Sequence, residues 1–104
     1  MATRGFDIGE SWVEVTDFAG LNMSNDTTYV VEMQGDSTKT VVLAHDNQAN
    51  NAPADDADGH IWFLRSSKVV RETAGTIKEF TKKSGWYWWL RTSRGEARVV
   101  ATEI

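Results

Sequence analysis

The sequence predicts an all-β domain: a single antiparallel β-sandwich or barrel of about seven to eight strands. Three observations lead there. Val, Thr, Ile, Trp and Tyr are concentrated in short segments, about four to eight residues each, bounded by clusters of Gly, Asn, Asp and Ser. Residues 27–34 alternate, with Tyr29, Val31 and Met33 on one side and Val30, Glu32 and Gln34 on the other, which is the period of a strand with one core face. Finally, Trp86-Tyr87-Trp88-Trp89-Leu90-Arg91-Thr92 places three of the five tryptophans in one segment. In a strand, Trp86, Trp88 and Leu90 line one face and Tyr87, Trp89 and Arg91 the other, so both faces need cover. A single sheet with one solvated side cannot provide it.

Taken in order, residues 1–10 read as an N-terminal arm with Phe6 and Ile8 as anchors. A strand over 11–16 follows, then one turn of helix within Asp17 to Met23, which Asp17 would cap. Strand 27–34 ends at Gly35-Asp36-Ser37, residues suited to a tight turn, and strand 38–44 returns with Val41 and Leu43 on one face and Val42 and Ala44 on the other. The two read as a hairpin. Residues 45–59 hold the single proline and no large apolar side chain, so they are expected as one long acidic surface loop. Strands are then expected at 60–65, 68–73, 76–81, 85–92 and 96–103. Connections this short leave no room for crossover helices, so the strands should be antiparallel throughout.

The chain has 104 residues, the size of one domain, and no cysteine, so its stability has to come from packing or association rather than disulfides. Fifteen acids against eleven bases give a net charge of −4, which offers nucleic acid no general attraction. No apolar run approaches the length of a membrane span, and residues 1–10 lack the charged and apolar regions of a secretory signal. Synthesis in a cytoplasm is expected, with neither nucleic acid nor membrane as partner.

Several residue groups suggest chemistry, and each has a plainer reading. Asp55, Asp56 and Asp58 before Gly59 suggest calcium, but with Gly59 at the sixth position of a calcium loop the first and twelfth ligands would fall on Ala54 and Arg65. A solvated acidic loop is the ordinary alternative. His45 and His60 flank that loop and could approach Asp46 or Asp58 around a metal ion, although two histidines without a third firm ligand are more commonly surface residues. None of Ser11, Ser66, Ser67, Ser84 and Ser93 sits in a nucleophile-elbow pattern, and no carboxylate pair has a spacing fixed by sequence. No catalytic residue, metal or cofactor is expected. Lys78 to Lys83 ahead of the tryptophans interleaves basic and aromatic residues as single-strand nucleic-acid binders do, yet a solvated turn entering a core strand explains the same pattern.

The order Ser11-Trp12-Val13-Glu14-Val15-Thr16, Leu21, Thr28-Tyr29-Val30-Val31-Glu32, an irregular loop, Gly85 to Thr92 and a closing Arg98-Val99-Val100-Ala101-Thr102-Glu103 resembles the small all-β virion proteins of tailed bacteriophages. That resemblance implies a non-enzymatic building block of the particle. A capsid decoration protein cementing the assembled shell is the first expectation, with a tail or fibre component as the alternative. It further implies residence in the virion, other virion proteins such as the major capsid protein as partners, and a homo-oligomer. The aromatic and Arg content suggests an interface built from Trp62, Tyr87, Trp89, Arg91, Arg94 and Arg98, with the acids at 55–58 of one copy meeting arginines of another. A rival reading takes the tryptophans as a flat platform for carbohydrate or a host surface. The chain ends, residues 1–10 and 101–104, are expected as segments that reach a neighbour's sheet.

Overall fold

The computed structural model describes residues 3–16, 21, 23–34, 41–48, 51–54, 56–62 and 78–104. These residues contain no helix and eight strands: β1 (Thr3–Ile8), β2 (Val13–Glu14), β3 (Thr28–Gln34), β4 (Val42–Asn47), β5 (His60–Trp62), β6 (Lys78–Thr81), β7 (Tyr87–Thr92) and β8 (Ala97–Glu103). They make two antiparallel four-stranded sheets, β1-β8-β3-β6 and β2-β7-β4-β5, stacked as a β-sandwich. The expected all-β antiparallel class is the observed one.

The alternation of β3 explains the layering. Tyr29, Val31 and Met33 are buried, and they meet Phe6, Ile8, Phe80, Val99 and Ala101 of the same sheet and Val42, Ala44, Trp62 and Leu90 of the other in one core. Leu21, Met23 and Val15 fill the end where the chain passes between β2 and β3, and Trp88 packs on the cluster from β7. Phe80 is the bridge between layers. Its ring centroid lies 6.4 Å from Tyr29 in its own sheet, and 6.3 and 5.7 Å from Trp62 and Trp88 in the facing sheet. Trp62 and Trp88 are themselves 5.8 Å apart and tilted by 39°, within the range of favourable aromatic pairs.

Three expectations need correction. Strands 27–34 and 38–44 are not a hairpin: β3 lies between β8 and β6, whereas β4 lies between β7 and β5 in the other sheet. Each has one buried face, and facing each other across the core buries both at once, which side-by-side pairing would not do. The supposed arm is strand β1, paired with β8 from Thr3↔Thr102 to Ile8↔Ala97, because Phe6 and Ile8 alternate onto the core. Residues 101–103 do not reach outward either. They belong to β8, which is held between β1 and β3. The expected strand at 68–73 and the turn at 35–37 lie outside the described residues, as does most of the proposed helical turn; Leu21 and Met23 from it are buried.

Two tight turns set the entrance to β7 and β3. Trp86 N donates to Lys83 O at 3.0 Å, with Gly85 in the third position at φ 79°, the sign a type II turn requires there. Thr27 N donates to Ser24 O at 3.2 Å around Asp26 at φ 66°, a conformation that Asp tolerates better than most residues. Reciprocal bonds tie the two turns together, from Asp26 N to Lys82 O at 2.7 Å and from Lys82 N to Thr27 O at 3.0 Å.

Replacing Phe80 by Ala is expected to cost ~3–5 kcal/mol, since it removes the ring that joins the layers and leaves a cavity between them. Urea denaturation of the purified chain measures this directly. Gly85→Ala should cost about 1–2 kcal/mol in the same assay, from the left-handed backbone alone, because a Cβ there meets no atom within 4 Å.

Candidate functional site

Strand β7 supplies both faces of its sheet. Trp88, Leu90 and Thr92 point inward, while Tyr87, Trp89 and Arg91 point to the outside. The ladder sets Glu14 of β2 opposite Trp89 on one flank and His45 of β4 opposite it on the other, with Asn47 beside Tyr87 and Leu43 beside Arg91. Yet this outward face is largely sealed. Trp89 is only 6% exposed and Trp12, which precedes β2 and projects to the same side, only 7%.

The cover comes from the connection between β4 and β5, whose described residues 51–54 and 56–59 fold back over the sheet as a strap. Trp12 Nε1 donates to Ala54 O at 2.9 Å, and Asn47 Nδ2 donates to Asn51 O at 3.1 Å. The other end of the Asn47 amide, Oδ1, accepts from Trp89 Nε1 at 3.0 Å. One side chain thus satisfies a buried indole and fastens the strap in the same gesture. His45 Nδ1 lies 2.8 Å from Asp58 O, and its ring packs on Trp12 with centroids 5.7 Å apart. The strap turns on itself through Ala57 N to Ala54 O at 2.9 Å. Residues 45–47, expected in the loop, are the end of β4.

Arg91 closes the opposite side of Trp12. Its guanidinium carbon is 5.4 Å from the indole centroid, and Nη1 donates to Glu10 O at 2.7 Å. Glu10 Oε2 accepts from Gly95 N at 2.9 Å, so this residue joins the β1–β2 corner to the β7–β8 turn. Glu14, buried on the same face, accepts from both the backbone N–H and the hydroxyl of Thr16. At the far end, Lys82 Nζ donates to Trp86 O at 2.8 Å and lies 4.7 Å from the Tyr87 ring centroid, an arrangement that accounts for a lysine with so little exposure.

The six residues expected to form an interface are dispersed. Trp62 lies in the core against Phe80 and Trp88, and Trp89 lies beneath the strap, so neither is presented to a partner. Tyr87 and Arg91 are half-buried on the outer face of the second sheet, and Arg94 is exposed in the β7–β8 turn. Arg98 is on the outside of the other sheet, where Nη1 pairs with Asp7 Oδ1 at 3.1 Å and the side chain lies across Gly5. That ion pair is well exposed and adds little to stability. Trp12, Asn47 and Glu10, which organise the outer face, did not figure among the expected residues. The alternation of 11–16 did contain a signal: Val13 and Val15 on one side leave Trp12 and Glu14 on the other, an aromatic facing away from the core.

The histidines flanking the loop do come near each other. His45, His60, Asp46 and Asp58 line one cleft of about 270 Å³ with Ala44 and Gly59, at the mouth of the β4–β5 hairpin. Among the described residues, however, no group of three or more His, Cys, Asp or Glu side chains converges in a way that could hold a metal ion. Asp56 and Asp58 are exposed, and Asp55 lies outside the described residues. Comparison with protein-family models, with curated proteins and with solved structures finds no match to this chain.

Because Trp89 is packed within the chain, Trp89→Ala should cost ~3–5 kcal/mol of folding stability rather than acting on association alone. Trp12→Phe keeps most of the ring and removes the N–H that holds Ala54 O, for an expected loss of about 1 kcal/mol. Amide hydrogen exchange should show the consequence locally, with the Ala57 N–H exchanging faster in Trp12→Phe than in the parent while amides of β3 and β8 are unchanged.

Proposed function

We propose that this chain is a non-enzymatic structural protein of a tailed-bacteriophage particle, a decoration protein that binds the assembled shell, with the major capsid protein and further copies of itself as its neighbours. The observation that supports this reading best is the use made of the tryptophans. Trp12, Trp62 and Trp89 are buried and Trp88 packs on the core, so the aromatic side chains build a rigid two-layer block. Their pairing does not favour the carbohydrate-platform alternative: the Trp62–Trp88 pair is tilted and lies in the interior, where a sugar-binding platform needs an exposed coplanar pair. Rigidity is what a part that reinforces a shell requires, since little conformational freedom is then lost on docking.

The outside of the block is consistent with contacts of modest individual strength repeated over a lattice. Ile61 on β5 is 56% exposed and Ile104, just after β8 of the other sheet, 63%. A shell multiplies such contacts through repeated geometry. A tail or fibre component would use the same properties.

Co-sedimentation with purified empty shells, together with light scattering of the chain alone, tests the proposal. Saturable binding to shells is expected, persisting in a chelator and falling only modestly between low and physiological salt. A chain that is strictly monomeric and binds neither shells nor tails would overturn it, and binding lost on chelation and restored by calcium would return Asp56 and Asp58 to consideration as ligands.

A further inference from the structure

Asp58-Gly59 is the single Asp-Gly step in the chain, and Asn-Gly does not occur. In such a step the glycine nitrogen can attack the aspartate side-chain carbon with no Cβ in the way. Both residues are exposed, so the carboxyl group is open to water. The close passage of the strap nevertheless favours glycine at this place: a Cβ on residue 59 would lie 3.0 Å from Ala44 O and 3.1 Å from Trp12 Cη2, tight enough that backbone or a buried ring would have to give by a few tenths of an ångström. The close passage of the strap over β4 therefore keeps a chemically labile pair in the fold.

The same peptide unit has a second feature. Its carbonyl, Asp58 O, lies 2.8 Å from His45 Nδ1. A carbonyl oxygen only accepts, so Nδ1 carries the hydrogen. A donor on that oxygen draws charge from the amide nitrogen at the other end of the unit and stabilises the anion formed as that nitrogen gives up its proton.

We propose that Asp58–Gly59 is a succinimide-forming modification site and that His45 is its positioning residue. The bond that forms joins Gly59 N to Asp58 Cγ; the bond that breaks joins Cγ to a carboxyl oxygen, and the departing hydroxyl leaves with the amide proton as water. Water then opens the ring at either carbonyl. Attack at Cγ restores Asp58, whereas attack at the backbone carbonyl carbon routes the chain through Cγ and adds a methylene to the main chain. The extra atom falls inside the strap at the peptide His45 holds, which loosens the cover over Trp12 and Trp89.

The full chain is incubated in heavy-oxygen water at neutral pH, then digested and sequenced by mass spectrometry. Heavy oxygen is expected to accumulate at residue 58 ahead of every other aspartate, with a fraction lighter by one water and a fraction recognised as isoaspartate by its methyltransferase. Asp58→Glu, which would have to close a larger ring, should lose the label at this site. His45→Phe, which keeps a ring against Trp12 but no donor, should slow labelling several-fold. Label spread evenly over the aspartates, or a His45→Phe rate equal to or above that of the parent, would overturn the proposal.

Discussion

A strand that is apolar on both faces is the constraint from which the rest of this structure follows. β7 carries Trp88 and Leu90 on one side and Trp89 on the other, and water is a poor solvent for all three. The inner side is met by a second sheet, with Phe80 set between Trp62 and Trp88. Among the described residues no third sheet meets the outer side. There the chain uses Trp12, just before β2 and packed against the His45 ring and the Arg91 guanidinium, and a connection with no large apolar side chain, which contributes backbone carbonyl groups to Trp12 and His45.

Sealing that face with a polar segment works because both buried indole N–H groups find a partner on the strap or next to it. Trp12 and Trp89 spend their N–H groups on Ala54 O and Asn47 Oδ1, and Asn47 passes its own N–H to Asn51 O. An indole buried without such a partner would lose much of what its burial contributes. The strap is thus specified by hydrogen bonds where the core is specified by shape. Glycine fits best where it crosses Ala44, and this close crossing, not a left-handed turn, is the feature that favours Gly59.

Much of the architecture could be read in the sequence, and the reasons it could are local. The alternation of Tyr29, Val31 and Met33 gave β3 and its core face, and the two-sided aromatic pattern at 86–92 implied a second layer. Pairing was not readable, because alternation fixes which face is buried and says nothing about which strand lies alongside; adjacency along the chain suggested a β3–β4 hairpin, and burial of two one-faced strands against each other prevailed. β1 was missed for a similar reason, since Phe6 and Ile8 alone are a weak alternation until β8 supplies a partner. At the outer face, alternation separated Trp88 from Trp89 correctly, but the fate of Trp89 depended on a loop whose composition gave no sign that it would fold back. Side-chain amides such as Asn47 act through geometry that only the folded chain creates.

The central claim is that one chain covers both faces of β7 by itself. Exchange of the indole N–H protons, followed by nuclear magnetic resonance on a dilute sample, tests this most directly because Trp12 and Trp89 report the outer face and Trp88, through its bond to Thr81 O at 3.3 Å, the inner one. The Trp12 and Trp89 protons are expected to exchange far more slowly than a free indole, at a rate independent of protein concentration. Free-indole rates for Trp12 and Trp89, or protection that appears only as concentration rises, would contradict it and assign the cover of the outer face to a partner.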